Sequence, residues 1–196
     1  IEHWFGGRFM SIDAKQIKKI NYFSKLPEDM CAKIAKVVEQ KKCGPKTRLL
    51  EEGDTGDTMI LVFQGQVEVS KNMMVKAASG FTMSRKSIIR LETTDPAPSM
   101  DPITEPNVAV VQAPAFGIGE FSLVLDDAIR TAHVDSTTDV EYGILKLDDF
   151  STIVDENPSI GSPVYFEVAK AAVSNLATAS KDISNLTQAF FFILTR

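Results

Sequence analysis

The sequence predicts an α+β domain whose body is an antiparallel β-roll, jelly-roll-like, flanked by N-terminal helices and by a long C-terminal helix. Apolar residues follow a helical period before residue 45, form short or alternating runs between residues 47 and 147, and return to a helical period beyond residue 160. Turn-forming residues separate the short runs, which is typical of small antiparallel rolls and barrels. We expect strands at residues 49–50, 59–63, 67–69, 87–91, 108–111, 132–134 and 142–147.

Two helices are expected before the roll. Ser11 is suited to cap a short helix that ends near residue 20. A second helix is expected from Pro27, a residue favoured at the first helical position, to the Gly-Pro pair at residues 44–45. This assignment places Cys31 and Cys43 at opposite ends of one helix.

Two further helices are expected after the roll. Asp148 or Asp149 opens a short one, and Ser162 with Pro163 opens a longer one. The longer helix carries a stripe in steps of three and four, and seven of its nine residues are apolar. The stripe predicts a dimer seam, although packing against the protein's own roll is the alternative. The seam residues are Phe166, Ala169, Val173, Leu176, Ser180, Ile183, Thr187, Phe190 and Leu194.

The composition is that of an ordinary globular domain. The chain has 196 residues, of which 44% are hydrophobic and 24% charged. Its formal charge of −5 and pI near 5.1 provide no overall attraction for nucleic acid or anionic lipid, so we expect no direct nucleic-acid binding. We find no apolar run of membrane-spanning length, no signal-peptide pattern and no metal-type cysteine spacing, and therefore expect a cytoplasmic protein.

One short segment carries the strongest functional signal. Residues 116–123 read Phe-Gly-Ile-Gly-Glu-Phe-Ser-Leu, and residues 130–132 read Arg-Thr-Ala. Gly119 allows a close backbone approach, and the amides that follow it are suited to face an anion. Glu120 supplies an acceptor for hydroxyl groups, and Arg130 supplies a planar fork that matches two phosphate oxygens. This combination fits a sugar phosphate.

These residues resemble the phosphate-binding cassette of cyclic nucleotide-binding domains, which reads approximately Gly-Glu-x-Ala/Ser-Leu, a spacer, and Arg-Ser/Thr/Ala-Ala. We call residues 119–132 the cassette. The spacing from Glu120 to Arg130 is similar to that of catabolite-activator-type sensors. Two further landmarks precede it in the right order: residues 52–57 resemble the family's Glu-Gly-Asp-x-x-Asp turn, and residues 64–69 resemble its Gly-x-Val-x-Val element. The resemblance covers roughly residues 20–176.

The resemblance implies a regulatory sensor for cAMP, with cGMP left open, that controls an attached or partner effector through the C-terminal helix. In catabolite-activator-type proteins this helix pairs with its twin and closes over the base, so a homodimer is expected. The DNA-binding domain that those proteins carry next has no expected counterpart here. By resemblance, Arg130 pairs with the cyclic phosphate, Glu120 accepts from the ribose 2′-hydroxyl, amides of Phe121, Ser122 and Ala132 assist, and Gly119 and Thr131 lie beside the ligand.

An enzyme is not expected, because we find no nucleophile paired with a histidine, no metal-ligand cluster and no Walker-type loop. His3 and His133 are isolated, and His133 is expected to be half exposed. We expect no metal and no cofactor apart from the nucleotide ligand. The alternative function is a non-enzymatic interaction or scaffold domain of the same fold that binds no cyclic nucleotide.

The expected organisation has three parts. Residues 1–19 form an N-terminal extension and short helix, residues 20–160 form the binding domain, and residues 161–196 form the dimerisation or lid helix. An inserted loop is expected over about residues 72–115, because this segment is longer than the compact hairpins usual in the family that the chain resembles. Within it, residues 95–106 contain four prolines that remove donors needed for strand pairing. We favour a tolerated, exposed and mobile insertion, with a partner-binding loop left open.

Overall fold

The computed structural model describes residues 12–77, 80–98 and 108–194. Within these ranges it has four α-helices, two 3₁₀ helices and nine strands. The helices are α1 Ala14–Lys19, α2 Glu28–Val37, α3 Leu147–Glu156 and α4 Pro158–Leu194, with 3₁₀ helices at Asn21–Phe23 and Glu120–Leu123. The strands are β1 Glu39–Cys43, β2 Arg48–Leu50, β3 Thr58–Gln64, β4 Gln66–Ala77, β5 Gly80–Thr93, β6 Ala109–Ala113, β7 Phe116–Ile118, β8 His133–Ser136 and β9 Val140–Lys146.

The strands form two sheets whose inner faces share one apolar core. The four-stranded sheet has the order β1-β9-β3-β7, and the five-stranded sheet has the order β2-β8-β4-β5-β6. Pairing is antiparallel except between β5 and β6, which are parallel. Ile60 and Val62 from the first sheet pack with Val67 and Val134 from the second. The α+β roll predicted from the sequence is therefore confirmed.

A second core lies between the four-stranded sheet and the helices. Met59 and Leu61 on β3 pack there with Phe23, Phe150 and Ile160. Alternate residues of β3 thus face the helices and the roll interior, and both faces of this strand are covered. This explains why residues 59–63 form an unbroken apolar run rather than an alternating one.

All seven expected strands overlap an observed strand, but the expected second helix is too long. The observed helix α2 ends at Val37. Residues Glu39–Cys43 form strand β1, which pairs with β9 from Glu39↔Ile144 to Cys43↔Val140. Pairing with a neighbouring strand overrides the helical preference of this polar segment. Cys43 consequently lies in a strand, apart from Cys31 in α2, and both cysteines are free.

Two helix starts also differ from expectation. Ser11 lies outside the described residues, and α1 is capped by Asp13, whose Oδ1 accepts a hydrogen bond from the Gln16 amide at 2.9 Å. The final helix begins at Pro158, five residues earlier than expected, and continues through Pro163. Its first turns are held by burial of Ile160, Gly161, Val164 and Val168, so tertiary packing extends the helix across the proline. None of the described helices is long and apolar enough to cross a membrane.

The seam residues do not pack against the protein's own roll. The buried face of α4 consists of Ile160, Gly161, Val164 and Val168, whereas Phe166, Val173, Leu176, Ile183, Phe190 and Leu194 are each at least 60% exposed. The alternative that the seam folds onto its own domain is therefore wrong for this structure.

The expected inserted loop over residues 72–115 is mainly regular structure, so that expectation is corrected. Strands β4 and β5 pair continuously from Gln66↔Glu92 to Ala77↔Gly80, apart from one irregularity beside Val69. Strand β6 then joins the sheet. Much of the proline-rich stretch lies outside the described residues. Its first residues are fixed, since Gln64 donates to the Ala97 carbonyl at 3.0 Å and Lys19 donates to the Asp95 carbonyl at 3.0 Å.

Candidate functional site

The seven residues predicted from the cassette pattern line one cavity of about 160 Å³. Apolar side chains from the inner faces of both sheets complete its wall, among them Leu50, Val69 and Val134. Asn175 of α4 lies at the same cavity. The predicted residues that the structure brings together are Gly119, Glu120, Phe121, Ser122, Arg130, Thr131 and Ala132.

The turn at residues 52–57 fixes the main chain of the cassette. The Gly53 amide donates to the Arg130 carbonyl at 2.9 Å, and the Arg130 amide donates to the Asp54 carbonyl at 2.8 Å. The Gly56 amide donates to the Ala128 carbonyl at 2.9 Å. This upstream landmark therefore holds Arg130 in position, although more than seventy residues separate Asp57 from Arg130.

Arg130 is a buried cation, with only 7% of the residue exposed. Its Nη1 donates to Ser122 Oγ at 2.7 Å, and its Nη2 donates to the carbonyl and hydroxyl of Thr58 at 2.6 and 3.1 Å. Among the described residues, no carboxylate oxygen lies within 4.0 Å of the guanidinium. Burial lowers the pKa of Arg130, while the charges of Asp57, Glu120 and Asp54 act in the opposite direction. The guanidinium is thus desolvated and lacks a direct counter-ion, an arrangement that favours an anionic ligand.

Two glycines make room for this guanidinium. Gly119 has a φ of 77° and opens the 3₁₀ helix of the cassette. A Cβ on either Gly56 or Gly119 would overlap nitrogen atoms of Arg130. The sequence indicated the close approach at Gly119, but it gave no signal that Gly56 would meet a side chain from the cassette.

Solved structures with the same architecture include several regulatory domains. The N-terminal domain of a transcriptional regulator from Streptomyces coelicolor A3(2) aligns over 84% of this chain and 94% of its own, with a TM-score of 0.59 and 18% identity. A cyclic nucleotide-binding domain from Methylobacillus flagellatus KT aligns over 87% of this chain and 79% of its own, with a TM-score of 0.59 and 19% identity. The chain has the cyclic nucleotide-binding fold.

The Thermus thermophilus catabolite activator protein also has this cyclic nucleotide-binding fold, with a TM-score of 0.59 and 17% identity. The match covers 85% of this chain but only 62% of the catabolite activator protein. No protein-family model matches the sequence, and no curated protein matches it significantly. The likeness at 17–19% identity therefore establishes the fold of the domain.

Tyr22 is a site residue that the sequence did not reveal. It lies in the first 3₁₀ helix and is buried, and its phenol is near enough to Glu120 to be affected by the charge of that carboxylate. Burial, followed by the Glu120 charge, raises the pKa of this phenol. An N-terminal aromatic residue thus lies beside Glu120, and no local motif near Tyr22 indicates this proximity.

His133 is buried, so the expectation of half exposure is wrong. It lies on the face of β8 opposite the apolar core, where polar side chains enclose it. Its Nδ1 accepts from the Glu52 amide at 3.1 Å and lies 2.8 Å from Arg48 Nη1, while its Nε2 lies 2.9 Å from Asn72 Nδ2. Across the described ranges, no three His, Cys, Asp or Glu residues are grouped to hold a metal ion.

Proposed function

We propose that this domain is a non-enzymatic cyclic nucleotide sensor whose ligand is cAMP, with cGMP as the alternative. The observation that carries the proposal is Arg130, a buried guanidinium at the cassette cavity that has no direct counter-ion in the part of the chain that the structure describes. A phosphodiester supplies the missing charge. Its oxygens are anionic, whereas the present acceptors of Arg130 are the neutral oxygens of Ser122, Thr58 and Gly119. A phosphate oxygen carries negative charge and two of them match the planar guanidinium, so the phosphate competes with these neutral acceptors for Arg130.

In this proposal the remaining cassette residues contact the ribose phosphate. Amides of Phe121, Ser122 and Ala132 assist Arg130, with Gly119 and Thr131 beside the ligand. Glu120 accepts a hydrogen bond from the ribose 2′-hydroxyl through its carboxylate oxygens. The apolar wall of the roll receives the base.

The output proceeds through α4 in this proposal. At about 1.5 Å per residue, a helix of 37 residues is about 55 Å long, well beyond the radius of gyration of about 16 Å expected for this chain. Its exposed seam is covered by the same helix of a second copy, which gives a cytoplasmic homodimer. Asn175 at the cavity allows a ligand to favour one position of α4, and the difference in affinity between helix positions sets the size of the switch. The effector is a domain or partner attached to this helix.

Isothermal titration calorimetry with cAMP and cGMP tests the binding proposal. Arg130→Ala is expected to lower affinity by about 30-fold to several thousand-fold, because truncating one partner of a buried charge pair costs about 2–5 kcal/mol. Arg130→Lys is expected to lose much of the same affinity, since an ammonium lacks the planar fork. Arg85→Ala, which removes a half-exposed arginine outside the cavity, serves as the control. Undiminished binding by Arg130→Ala contradicts the proposed role.

A second function is favoured by the hydrogen bonds that Arg130 already makes. With its terminal nitrogens bonded to protein oxygens, the cavity has the features of a site filled by its own side chains. The cavity of about 160 Å³ is also smaller than the roughly 300–1,000 Å³ typical of ligand pockets. The domain then acts as an interaction scaffold of the same fold. If neither cAMP nor cGMP gives a heat of binding in calorimetry while the homodimer remains intact, the scaffold function is favoured over the sensor function.

A further inference from the structure

Part of the β4–β5 hairpin extends beyond the five-stranded sheet. Strand β8 pairs with β4 only from Val67↔Ser136 to Ser70↔His133, and β6 pairs with β5 only from Ile89↔Ala109 to Thr93↔Ala113. Within the described chain, residues 71–77 and 80–86 therefore pair only with each other. We call these residues the ribbon. It is a two-stranded projection with neither edge covered by another described strand.

One face of the ribbon is apolar and exposed. Met74 and Met83 are directly paired, and Phe81 is paired with Lys76, two residues farther along β4. Directly paired residues and residues two apart lie on the same face, so these side chains are neighbours. Met74, Phe81 and Met83 are 70%, 75% and 60% exposed. Grouped exposed apolar side chains of this size are typical of an interaction site.

The ribbon also has a uniform positive charge. It contains Lys71, Lys76, Arg85 and Lys86 and no acidic residue, although the whole chain has a formal charge of −5. Lys76 and Arg85 lie on the apolar face, because they are in register with Phe81 and Asn72. The ribbon therefore combines exposed apolar groups with cations, while most of the chain is acidic.

A basic cavity adjoins this face. It has a volume of about 400 Å³ and is lined by four cations, Lys46, Arg48, Arg85 and Arg90, but only two carboxylates, Glu68 and Asp135. Arg90 pairs with Glu68 at 2.7 Å, and Arg48 and Arg85 share Asp135 at 2.5 and 3.0 Å. Arg48 also pairs with Glu51, which lies outside the cavity lining. The ammonium of Lys46 has no ion-pair partner among the described residues. Glu68 lies on the same face of β4 as Met74, six residues away, so the cavity and the apolar group share the outer face of the sheet.

We propose that the ribbon and its adjoining cavity dock on an anionic phospholipid membrane. Met74, Phe81 and Met83 enter the boundary between headgroups and acyl chains, the flanking cations lie at the headgroups, and the cavity receives a headgroup phosphate. Apolar residues bordered by Lys and Arg are typical of interfacial membrane binding. A two-stranded ribbon offers little of the roughly 800 Å² per partner that a stable protein interface buries, which favours the membrane. Docking does not depend on cyclic nucleotide binding.

Co-sedimentation with vesicles tests the proposal, using phosphatidylcholine alone and phosphatidylcholine mixed with phosphatidylserine. The wild-type chain is expected to bind only the mixed vesicles and to dissociate as salt increases. Lys76→Glu is expected to lower the partition coefficient about 30-fold, since each charge near an anionic surface contributes about fivefold. Phe81→Ser together with Met74→Ser is expected to abolish detectable sedimentation by removing the inserted groups.

Matched variants identify the surface responsible. Leu186→Ser on α4 removes a side chain as exposed as Met74, and Lys25→Glu reverses an exposed charge elsewhere. Both are expected to sediment like the wild type, and circular dichroism verifies that all variants are folded. The proposal is overturned if the wild-type chain fails to bind the mixed vesicles. It is equally overturned if Leu186→Ser, rather than the ribbon variants, removes binding.

Discussion

Gly56→Ala provides a sharp test of how the fold positions Arg130, because Gly56 itself belongs neither to the cavity lining nor to the cassette. An added Cβ at Gly56 would overlap Nε, Cζ and Nη2 of Arg130, far inside the separation of about 3.5–4.0 Å preferred by non-bonded heavy atoms. The guanidinium must therefore leave its acceptors on Ser122 and Thr58, now at 2.7 and 2.6 Å. Hydrogen bonds of charged groups contribute about 1.5–3 kcal/mol each, so losing both lowers the free energy of unfolding by about 3–6 kcal/mol.

The same displacement removes the cation from the site of the cyclic phosphate. Gly56→Ala is expected to weaken cyclic nucleotide binding by about 30-fold or more in calorimetry, approaching the effect of Arg130→Ala. Urea denaturation measures the accompanying loss of stability. Gly44→Ala is the matched control, since the nearest atom to its added Cβ, Asp139 Oδ1, is at an ordinary distance of 3.8 Å. Wild-type affinity and stability in Gly56→Ala would refute the reasoning.

Two further predictions concern the ribose and the dimer. The protein is expected to bind the 2′-deoxy analogue less tightly than the ribose ligand by about 1–3 kcal/mol, because the partly buried Glu120 carboxylate loses a donor. Glu120→Gln is expected to reduce this difference in calorimetry. Equal affinities of the wild-type protein for the two ligands would exclude the proposed role of Glu120. Leu176→Glu with Ile183→Glu is expected to convert a dimer into a monomer in analytical ultracentrifugation. The control Thr178→Glu with Asn185→Glu has the same spacing but lies outside the seam, and it is expected to leave the dimer intact. If the wild-type protein is a monomer at high concentration, dimerisation through the seam is excluded.

The sequence predicted those strands whose side chains meet a core. Residues 59–63 and 142–147 were recognisable because burial selects apolar residues at regular positions. Strand β1, with the sequence Glu-Gln-Lys-Lys-Cys, was missed because only its pairing with β9 makes it a strand. Strand β7 was missed because three residues with a central glycine show no period. The apolar pattern of a sequence therefore predicts strands that are buried in a core. It does not predict strands that form because they hydrogen-bond to a segment distant in the chain.

The same distinction applies to the candidate site, where residues close in sequence were predicted and distant ones were missed. Residues 119–123 and 130–132 are close in sequence, so their order alone predicted that they share a site. Tyr22 and Gly56 reach the site from elsewhere in the chain, and nothing local indicates their contacts with Glu120 and Arg130. The missing counter-ion of Arg130 is likewise a property of the folded arrangement, because Asp54 and Asp57 are nearby in space yet form no ion pair with it.

In the proposed function, ligand binding and dimerisation are coupled through α4. Asn175 lies at the cavity, and the adjacent Leu176 belongs to the exposed seam, so one helical turn serves the ligand and the partner. Any ligand that prefers one position of this turn must change the dimerisation constant, and by thermodynamic linkage dimerisation changes ligand affinity by the same factor. A ligand with equal affinity for both positions changes neither, however tightly Arg130 holds its phosphate. In the proposed function, regulation therefore depends on contacts at Asn175 and its neighbours, whereas the cassette supplies most of the ligand affinity.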